Sequence, residues 1–448
     1  MEKLLIANRA EIAVRIARSA RELGIRTVAV VSEADANAMI SRVADEIIVV
    51  GPAPAGASYL NQDAILDAAR STGADAIHPG YGFLSENAAF ARRVVEAGLI
   101  WVGPEPESIE IMGDKVRAIE AARAAGVPVL QGSGGELAPE DDAIARGREV
   151  GYPLLIKASA GGGGRGIRLV ESEADLVASL EQVRGEAASA FGDPTVYLER
   201  FVADARHVEV QLLADGVHAV HLGDRDCSMQ RRSQKVIEEA PAPGLPDDVR
   251  ERMRSSSVAL AEATGYRGAG TVEFLYDPAR GEAAFIEMNT RLQVEHPVTE
   301  AITGIDLVAA QLRIADGEPL GFTQDDIAFA GHAIECRINA EDPARGFFPS
   351  PGLITRADWS PAARVDAGFA AGDTVTPYYD SLVAKVIVHA DTRDEAIAET
   401  IGALEESLVE GISTTIPLHI RLLATREFWA VAHHTKFIES EPALLGGR

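Results

Sequence analysis

Short apolar runs alternate with amphipathic segments over the first hundred residues. The predicted strands are 3–7, 26–31, 76–78 and 99–102, and the predicted helices are 11–23, one that begins near 61, and 86–98. Strands that alternate with helices in this way predict a parallel sheet covered by helices on both faces. Asn8, Arg9 and Ala10 follow the first strand and are not a glycine fingerprint, so a dinucleotide site has little support there.

The pattern changes in the next part of the chain. Segments 152–157 and 167–170 predict two strands, and four consecutive glycines stand between them at 161–164. Gly161, Gly163 and Gly166 match the G-x-G-x-x-G spacing, but this loop joins strand to strand rather than strand to helix, which argues against a Rossmann fingerprint. We interpret the loop as a flap whose amides can close over phosphates, and the alternative is a flexible surface loop. The neighbouring Lys157 and Arg165 favour the flap.

Polar or charged side chains occupy every second position from Glu287 to Glu295. In an extended strand all five of them project to one side. The preceding residues predict a second strand and a turn near residue 280, and the resulting hairpin places Glu273 opposite Glu287. Two facing carboxylates destabilise a sheet unless a cation lies between them. Together with Asn289 they form an oxygen-only set that suits Mg²⁺ or Mn²⁺.

The charge balance limits the kinds of partner. The 448 residues include 68 acidic and 42 basic ones, for a net charge of −26. This balance argues against nucleic acid or an anionic membrane as a partner, and the length predicts two or three domains. The apolar run at the start of the chain is too short for a signal peptide, and no later apolar stretch could span a bilayer. We therefore expect a cytoplasmic protein. The two cysteines are isolated and predict neither a disulfide framework nor a metal site.

Two further segments suggest ligand contacts. Residues 78–83 follow a predicted strand, which suits a loop that faces a ligand at the carboxyl edge of the sheet; a simple turn is the alternative. Residues 224–235 contain three arginines and a lysine, which in so acidic a protein predict an anion pocket rather than a solvated loop. Only six of the 42 basic residues are lysines, and Lys115, Lys157 and Lys235 all lie beside such signals.

Several longer motifs resemble those of biotin carboxylases, and together they cover nearly the whole chain. They are residues 6–9, 78–87, 163–166, 225–232, 235–243, 287–300, 335–342 and 377–380. The resemblance implies an α/β and α+β multidomain protein with the ATP-grasp fold. The implied units are an N-terminal Rossmann-like parallel-sheet domain (1–112), an ATP-grasp domain (113–316) with a glycine-rich lid at about 131–203, and a C-terminal α+β domain (332–440).

The same resemblance implies an activity and its partners. Biotin would be carboxylated by ATP and bicarbonate through carboxyphosphate, giving carboxybiotin, ADP and phosphate, as the first half-reaction of an acyl-CoA carboxylase. The implied cofactors are ATP and Mg²⁺ or Mn²⁺, with two metal sites. The chain contains neither an Ala-Met-Lys nor a Met-Lys-Met motif, so biotin would arrive on a separate biotin carboxyl carrier protein. A carboxyltransferase and a second copy in a homodimer are the other implied partners.

The resemblance also implies a role for individual residues. The implied ATP contacts are Lys115, Lys157, Gly162, Gly163, Gly164, Glu199, Arg200, His207 and Gln230. The implied metal ligands are Glu273, Glu287 and Asn289, and the implied bicarbonate pocket is Lys235, Arg291, Gln293, Val294 and Glu295. The implied biotin contacts are Tyr81, Gly82 and Arg337. Within these sets the resemblance implies that Glu295 would be the base, that Lys235 and Arg291 would stabilise carboxyphosphate, and that Arg337 would stabilise the biotin enolate.

The chain departs from the family pattern at three positions. Ser233 stands where the family usually has His, Ala160 replaces the first glycine of the lid, and Ala10 replaces a Gly. We expect Ala160 to restrict the lid backbone with a small effect on rate. Two other functions remain open: an ATP-grasp ligase that makes an acyl or carboxy phosphate for an amine acceptor, and an inactive carboxylase scaffold. Bicarbonate-dependent ATP hydrolysis with and without biotin separates the three.

Overall fold

The structure is a computed structural model that describes residues 1–133, 136–138, 142–158 and 166–446. Its first elements are β1 (Lys3–Ile6), α1 (Ala10–Glu22), β2 (Arg26–Val31), β3 (Glu46–Val49), α2 (Gln62–Thr72), β4 (Ala76–His78), α3 (Ala88–Glu96), β5 (Ile100–Trp101) and α4 (Pro106–Gly113). The five strands form a parallel sheet in the order β3-β2-β1-β4-β5, so the predicted parallel sheet is confirmed. Helix α3 begins later than predicted because the Asn87 side chain accepts a hydrogen bond from the Phe90 amide and caps it.

The loops that follow β1 and β4 meet at the carboxyl edge of this sheet. The Asn8 side-chain amide donates to the carbonyls of Pro79 and Tyr81, at 2.6 and 2.8 Å. Gly80 has a left-handed φ of +63°, and a Cβ added there would lie 2.8 Å from the Asn8 nitrogen. Only glycine therefore allows the two loops to approach so closely. This contact fixes the position of Tyr81.

A three-stranded antiparallel sheet forms the next unit. Its elements and flanking helices are α5 (Lys115–Ala124), α6 (Ala143–Val150), β6 (Leu154–Ala158), β7 (Ile167–Val170), α7 (Glu173–Phe191) and β8 (Val196–Arg200). The strand order is β7-β6-β8, and the two predicted strands are confirmed to within two residues. The glycine loop between them, with the predicted contacts Gly162, Gly163 and Gly164, lies outside the described residues.

The remaining elements build one large sheet, three two-stranded sheets and the helices that pack against them. They are β9 (Arg206–Asp215), β10 (Ala219–Arg231), β11 (Gln234–Ala240), α8 (Asp247–Ala263), β12 (Arg267–Asp277), β13 (Glu282–Asn289), α9 (His296–Thr303), α10 (Leu307–Ala315), β14 (His332–Asn339), β15 (Glu341–Asp342), β16 (Phe348–Pro349), β17 (Gly352–Leu353), β18 (Arg356–Asp358), β19 (Arg364–Ala367), β20 (Thr374–Val375), β21 (Leu382–Ala390), α11 (Arg393–Glu406), β22 (Leu408–Glu410), α12 (Ile416–Leu423), α13 (Arg426–Trp429) and α14 (Phe437–Ser440). Across the described ranges, no helix combines the length and apolarity needed to cross a bilayer.

The large sheet is antiparallel and has eight strands in the order β13-β12-β9-β10-β11-β14-β21-β19. Strands β14, β21 and β19 come from the expected C-terminal unit, yet β14 pairs directly with β11 of the expected ATP-grasp unit. Residues far apart in the chain therefore project from one continuous sheet surface. The buried Ile237 and Cys336 are cross-strand neighbours at this junction, and both belong to the same apolar core.

The predicted hairpin is confirmed, but its second strand is shorter than predicted. Strands β12 and β13 pair with Glu273 opposite Glu287, as the turn near residue 280 implied. The strand ends at Asn289, so the prediction of five side chains on one extended face is wrong beyond that residue. The Arg291 guanidinium hydrogen-bonds the side-chain oxygens of Asn289 and Gln293, at 3.0 and 2.9 Å, which folds the backbone into a turn. Helix α9 begins a few residues later.

Candidate active site

A cavity of about 940 Å³ opens between the large sheet and the loops at the carboxyl edge of the parallel sheet. Its volume is in the range of small-molecule sites. Twelve of the residues predicted to form a site line it: Tyr81, Gly82, His207, Gln230, Lys235, Glu273, Glu287, Asn289, Arg291, Gln293, Val294 and Arg337. Ser233, at the tip of the β10–β11 hairpin, also lines the cavity.

Lys235 is the central cation of the cavity. Its ammonium contacts Glu209 and Glu295 at 2.6 Å each and Glu273 at 2.9 Å. Burial lowers the pKa of Lys235, but the three carboxylates outweigh this effect and raise it well above its ordinary value. Lys235 is therefore charged at neutral pH and able to hold an anionic substrate.

Glu295 lies beneath the cavity and is fully buried. One of its oxygens contacts Lys235, and the other accepts a 2.9 Å hydrogen bond from Arg337. Burial alone would raise the pKa of Glu295, but Lys235 and Arg337 lower it below its ordinary value. The group is consequently ionised and can accept a proton from a molecule bound beside the two cations.

Arg337 connects Glu295 to a carboxyl group that sequence reasoning missed. Its Nε donates to Glu238 at 2.5 Å, and Glu238 is fully buried on β11. Burial, opposed by Arg337, raises the pKa of Glu238 to about 7. Glu335 faces Glu238 across the β11–β14 pair and is also fully buried. The hydrogen bonds to Glu238 on one side and Glu295 on the other fix the guanidinium plane of Arg337.

The hairpin carboxylates have the charge and position that a divalent cation requires. Glu287 makes no hydrogen bond or ion pair with any described residue, although it faces Glu273. Burial raises the pKa of Glu287, and repulsion from Glu273 and Glu86 raises it further. A cation beside Glu287 would relieve this repulsion, and Asn289 offers a further oxygen on the same strand. These residues therefore fit Mg²⁺ or Mn²⁺.

The tightest groups of potential metal ligands are different ones. Ligand atoms of His207, Glu209 and Glu273 lie within 4.8 Å of one another, as do those of Glu209, Cys227 and Glu295. Each group includes carboxylates already bound to the ammonium of Lys235. Burial and Lys235 lower the pKa of His207, but Glu273 and Glu209 raise it to about 9. Protonated His207 and Lys235 supply the positive charge beside these carboxylates, so neither of the two groups of potential ligands needs a metal.

Arg291 is held at the cavity by a carboxylate from the N-terminal part of the chain. Its Nε donates to Glu86 at 2.9 Å. Burial lowers the pKa of Arg291, and Glu86 and Glu295 raise it above its ordinary value. Glu86 follows the predicted ligand-facing loop 78–83, whose Tyr81 and Gly82 line the cavity. That loop therefore contributes to the cavity rather than forming a simple turn.

Four predicted ATP contacts lie away from the cavity lining. Lys157 on β6 forms an ion pair with Glu199 on β8, within the three-stranded sheet. Arg200 donates to Glu282 at 3.0 Å and lines a second cavity of about 280 Å³. Lys115 is exposed at the start of α5. The structure therefore brings the metal, bicarbonate and biotin candidates together but leaves these nucleotide candidates apart from them.

The cluster 224–235 contains a structural arginine as well as cavity residues. Arg225 is fully buried and donates to Glu209 and Gln211 at 2.6 Å each, and to Thr299 at 2.9 Å. It is therefore part of the sheet interior and not of an anion pocket. Glu209 was missed by sequence reasoning, although a glutamate inside the apolar strand 207–213 is itself a signal that a buried cation lies nearby.

Three family models match consecutive parts of the chain. They are the biotin carboxylase N-terminal domain (residues 1–109), the ATP-binding domain of the carbamoyl-phosphate synthase L chain (114–323) and the biotin carboxylase C-terminal domain (335–440). The chain is 53% identical to the biotin carboxylase of Pseudomonas aeruginosa over 446 residues and 51% identical to biotin carboxylase 1 of Bacillus subtilis over 443 residues, with 98% of each chain covered.

The chain belongs to the biotin carboxylase family. ATP-dependent carboxylation of biotin, the first half-reaction of carboxylases, is therefore its activity, and it is an ATP-grasp ligase. Among solved structures it is similar to the biotin carboxylase domain dimer of Hydrogenobacter thermophilus 2-oxoglutarate carboxylase, with a TM-score of 0.88, 46% identity, and coverage of 100% of this chain and 99% of that one. That domain was crystallised with MgADP, ADP and bicarbonate. The expected fold class is confirmed.

Proposed function

We propose that the 940 Å³ cavity is the place where bicarbonate meets the γ-phosphate of ATP and where carboxyl transfer to biotin follows. One observation carries the proposal: Lys235 and Arg337 hold the two oxygens of a single buried, ionised Glu295. Two fixed cations beside a proton acceptor form a site for an anion that must lose a proton. Bicarbonate has this charge and chemistry.

In the first step, bicarbonate binds to Lys235, Arg291, Gln293 and the Val294 amide. Glu295 takes its proton, and the resulting oxygen attacks the γ-phosphate, which yields carboxyphosphate and ADP. Lys235 and Arg291 stabilise the charge on carboxyphosphate. The intermediate then breaks at its C–O bond to give CO₂ and phosphate.

In the second step, the released phosphate removes the N1′ proton of biotin. Arg337 stabilises the enolate that forms on the ureido oxygen, and the nitrogen attacks CO₂ to give carboxybiotin. Tyr81 and Gly82 border the biotin ring at the end of the cavity formed by the loop 78–83. Glu238 on β11 holds the guanidinium of Arg337 in place for this step.

ATP binds with Mg²⁺ or Mn²⁺, at two metal sites. Glu273, Glu287 and Asn289 would hold the metal, which would supply positive charge to the phosphates. Lys115 and Lys157 contact the ATP phosphates, and the flap supplies the amides of Gly162, Gly163 and Gly164. Glu199, Arg200, His207 and Gln230 contact the nucleoside.

The proposal extends to partners and organisation. Biotin arrives on a separate biotin carboxyl carrier protein, and a carboxyltransferase passes the carboxyl group to an acyl-CoA. The protein forms a homodimer in the cytoplasm. Residues 1–112, 113–316 and 332–440 are its three domains, although the second and third share the eight-stranded sheet.

Bicarbonate-dependent ATP hydrolysis, measured with and without free biotin, tests this function. We expect ADP release to require bicarbonate and to rise when biotin is added. Turnover without any response to biotin would instead favour a ligase for an amine acceptor. Purified, folded protein with no ATP turnover under either condition would favour an inactive scaffold.

A further inference from the structure

Lys385 on β21 is fully buried and has no role in the reaction described above. Its ammonium donates to the carbonyl of Val294 at 2.8 Å and forms an ion pair with Glu11 at 3.2 Å. Burying a charged side chain is costly unless its partners are well placed. The position of Lys385 between a peptide of the proposed bicarbonate pocket and a buried carboxylate therefore calls for an explanation.

Glu11 connects Lys385 to the opposite end of the cavity. It lies in the first turn of α1 and is 1% exposed. Its second oxygen accepts a hydrogen bond from the hydroxyl of Tyr81. Two side chains thus form a continuous path from the Val294 peptide to the Tyr81 ring.

Close packing fixes the path in place. A Cβ added to Gly368, just after β19, would lie 2.3 Å from the Glu11 amide nitrogen, so the backbones touch there. Asp366 on β19 is the cross-strand neighbour of Lys385 and supplies further negative charge beside it. Neither Lys385 nor Glu11 can move without displacing one of these elements.

We propose that Lys385 and Glu11 are positioning residues for carboxylation: Lys385 holds the Val294 carbonyl and so fixes the backbone that presents the Val294 amide to bicarbonate, and Glu11 orients Tyr81 towards biotin. This inference rests on the proposed roles of Val294 and Tyr81. One ammonium is bound to both the peptide and Glu11, so loss of the pair loosens both substrate sites at once. The nucleotide candidates make no contact with either residue among the described parts of the chain.

The test is the double variant Lys385→Met/Glu11→Gln, which removes both charges of the pair, while Asp366 beside it keeps its ion pair with Arg364. We expect the KM for bicarbonate and the KM for biotin each to rise on the order of tenfold, because small displacements of positioning groups cost about this much or more. The KM for ATP stays within about twofold, since the pair is remote from the proposed nucleotide contacts. A purely structural role would instead lower the active fraction and leave every KM unchanged.

Two further variants serve as controls. Lys3 is another buried lysine, which donates to the Thr72 carbonyl at 2.5 Å and pairs with Glu46 at 2.7 Å, at the amino edge of the parallel sheet. Lys3→Met should leave all three KM values unchanged. Tyr81→Phe removes only the hydroxyl and should raise the KM for biotin alone. If the double variant does not fold, Glu11→Asp should give a smaller rise in the same two KM values.

The outcomes separate this inference from the proposed function. If the wild type turns over and the folded double variant keeps the wild-type KM values for bicarbonate and biotin, the inference is wrong but the proposed function stands. Absence of bicarbonate-dependent turnover in the wild type would overturn the proposed function and the inference with it.

Discussion

Three carboxylates surround Lys235, yet its proposed partner is a further anion. The ammonium can donate only three hydrogen bonds, and Glu209, Glu273 and Glu295 accept all of them. Bicarbonate must therefore displace one carboxylate from Lys235 in order to bind there. Glu273 is the candidate to leave, because a metal held by the Glu273–Glu287 pair would compensate its charge in place of Lys235. In this account metal binding and bicarbonate binding favour each other.

The substitution Glu295→Gln tests the base directly. The amide keeps the shape of the side chain but cannot accept the bicarbonate proton. We expect bicarbonate-dependent ATP hydrolysis to fall by about 10²–10⁴-fold, the usual contribution of a general base. ATP affinity, measured by calorimetry, should stay within severalfold of the wild type. Unchanged biotin carboxylation in the variant would refute the assignment.

Glu238 provides a prediction for the dependence of stability on pH. Burial raises its folded-state pKa from 4.5 to about 7. Between these values the folded protein keeps a proton that the unfolded chain has released, so stability falls as the pH rises through this window and is level above it. Arg337, Glu295 and Lys235 act on the same carboxyl group, and Glu335 faces it across the sheet.

The substitution Glu238→Gln removes this contribution. Between pH 5 and 7 the free energy of unfolding should then fall less in the variant than in the wild type. The difference should be at most about 3 kcal/mol, which is the linkage value for a pKa shift of this size. Some fall in the free energy of unfolding with rising pH should remain in the variant, because burial also raises the pKa of Glu335 well above its ordinary value. The exposed Glu405 on α11 provides the control variant Glu405→Gln. If the free energy of unfolding depends on pH in the same way in Glu238→Gln and in this control, the assignment is wrong.

Helix α1 begins with a strained residue. Ala10, its first residue, has a left-handed φ of +54°. An L-residue pays about 1–2 kcal/mol for this conformation, whereas glycine adopts it readily, which accounts for the Gly usual in the family here. The cost is local and does not prevent Glu11 from reaching Tyr81 and Lys385.

The substitution Ala10→Gly should therefore stabilise the protein. We expect the free energy of unfolding to rise by about 0.5–1 kcal/mol, as relief of the strain exceeds the entropic cost of glycine. Ala13→Gly in the right-handed interior of the same helix is the matched control and should destabilise by about 1 kcal/mol or more. Denaturant unfolding measures both changes. Destabilisation by Ala10→Gly would show that its φ is not the source of strain.

The elements differ in how far the sequence could predict them. The β12–β13 hairpin and its Glu273–Glu287 pair follow from local alternation and turn residues, and both are confirmed. The end of β13 at Asn289 could not be predicted, because it depends on where the Arg291 side chain binds. Glu86, which holds Arg291 from 205 positions away, was missed for the same reason. Local patterns specify elements, whereas partners from distant strands require the tertiary structure.

At the scale of the whole molecule, one sheet unites residues that the expected domain division separates. Lys235 on β11 and Arg337 on β14 come from neighbouring strands, although residue 316 was the expected end of the first of these units. Both cations reach Glu295 from this shared surface. The chain carries a net charge of −26, so its anionic substrates depend on such a concentration of cations.

The transfer of oxygen from bicarbonate to phosphate tests the central claim most directly. Wild-type protein is supplied with ATP, biotin and ¹⁸O-labelled bicarbonate, and the phosphate released at early times is analysed by mass spectrometry. If bicarbonate attacks the γ-phosphate beside Glu295, and carboxyphosphate then breaks at its C–O bond, each phosphate carries one oxygen from bicarbonate. Phosphate whose new oxygen comes entirely from water would contradict the account.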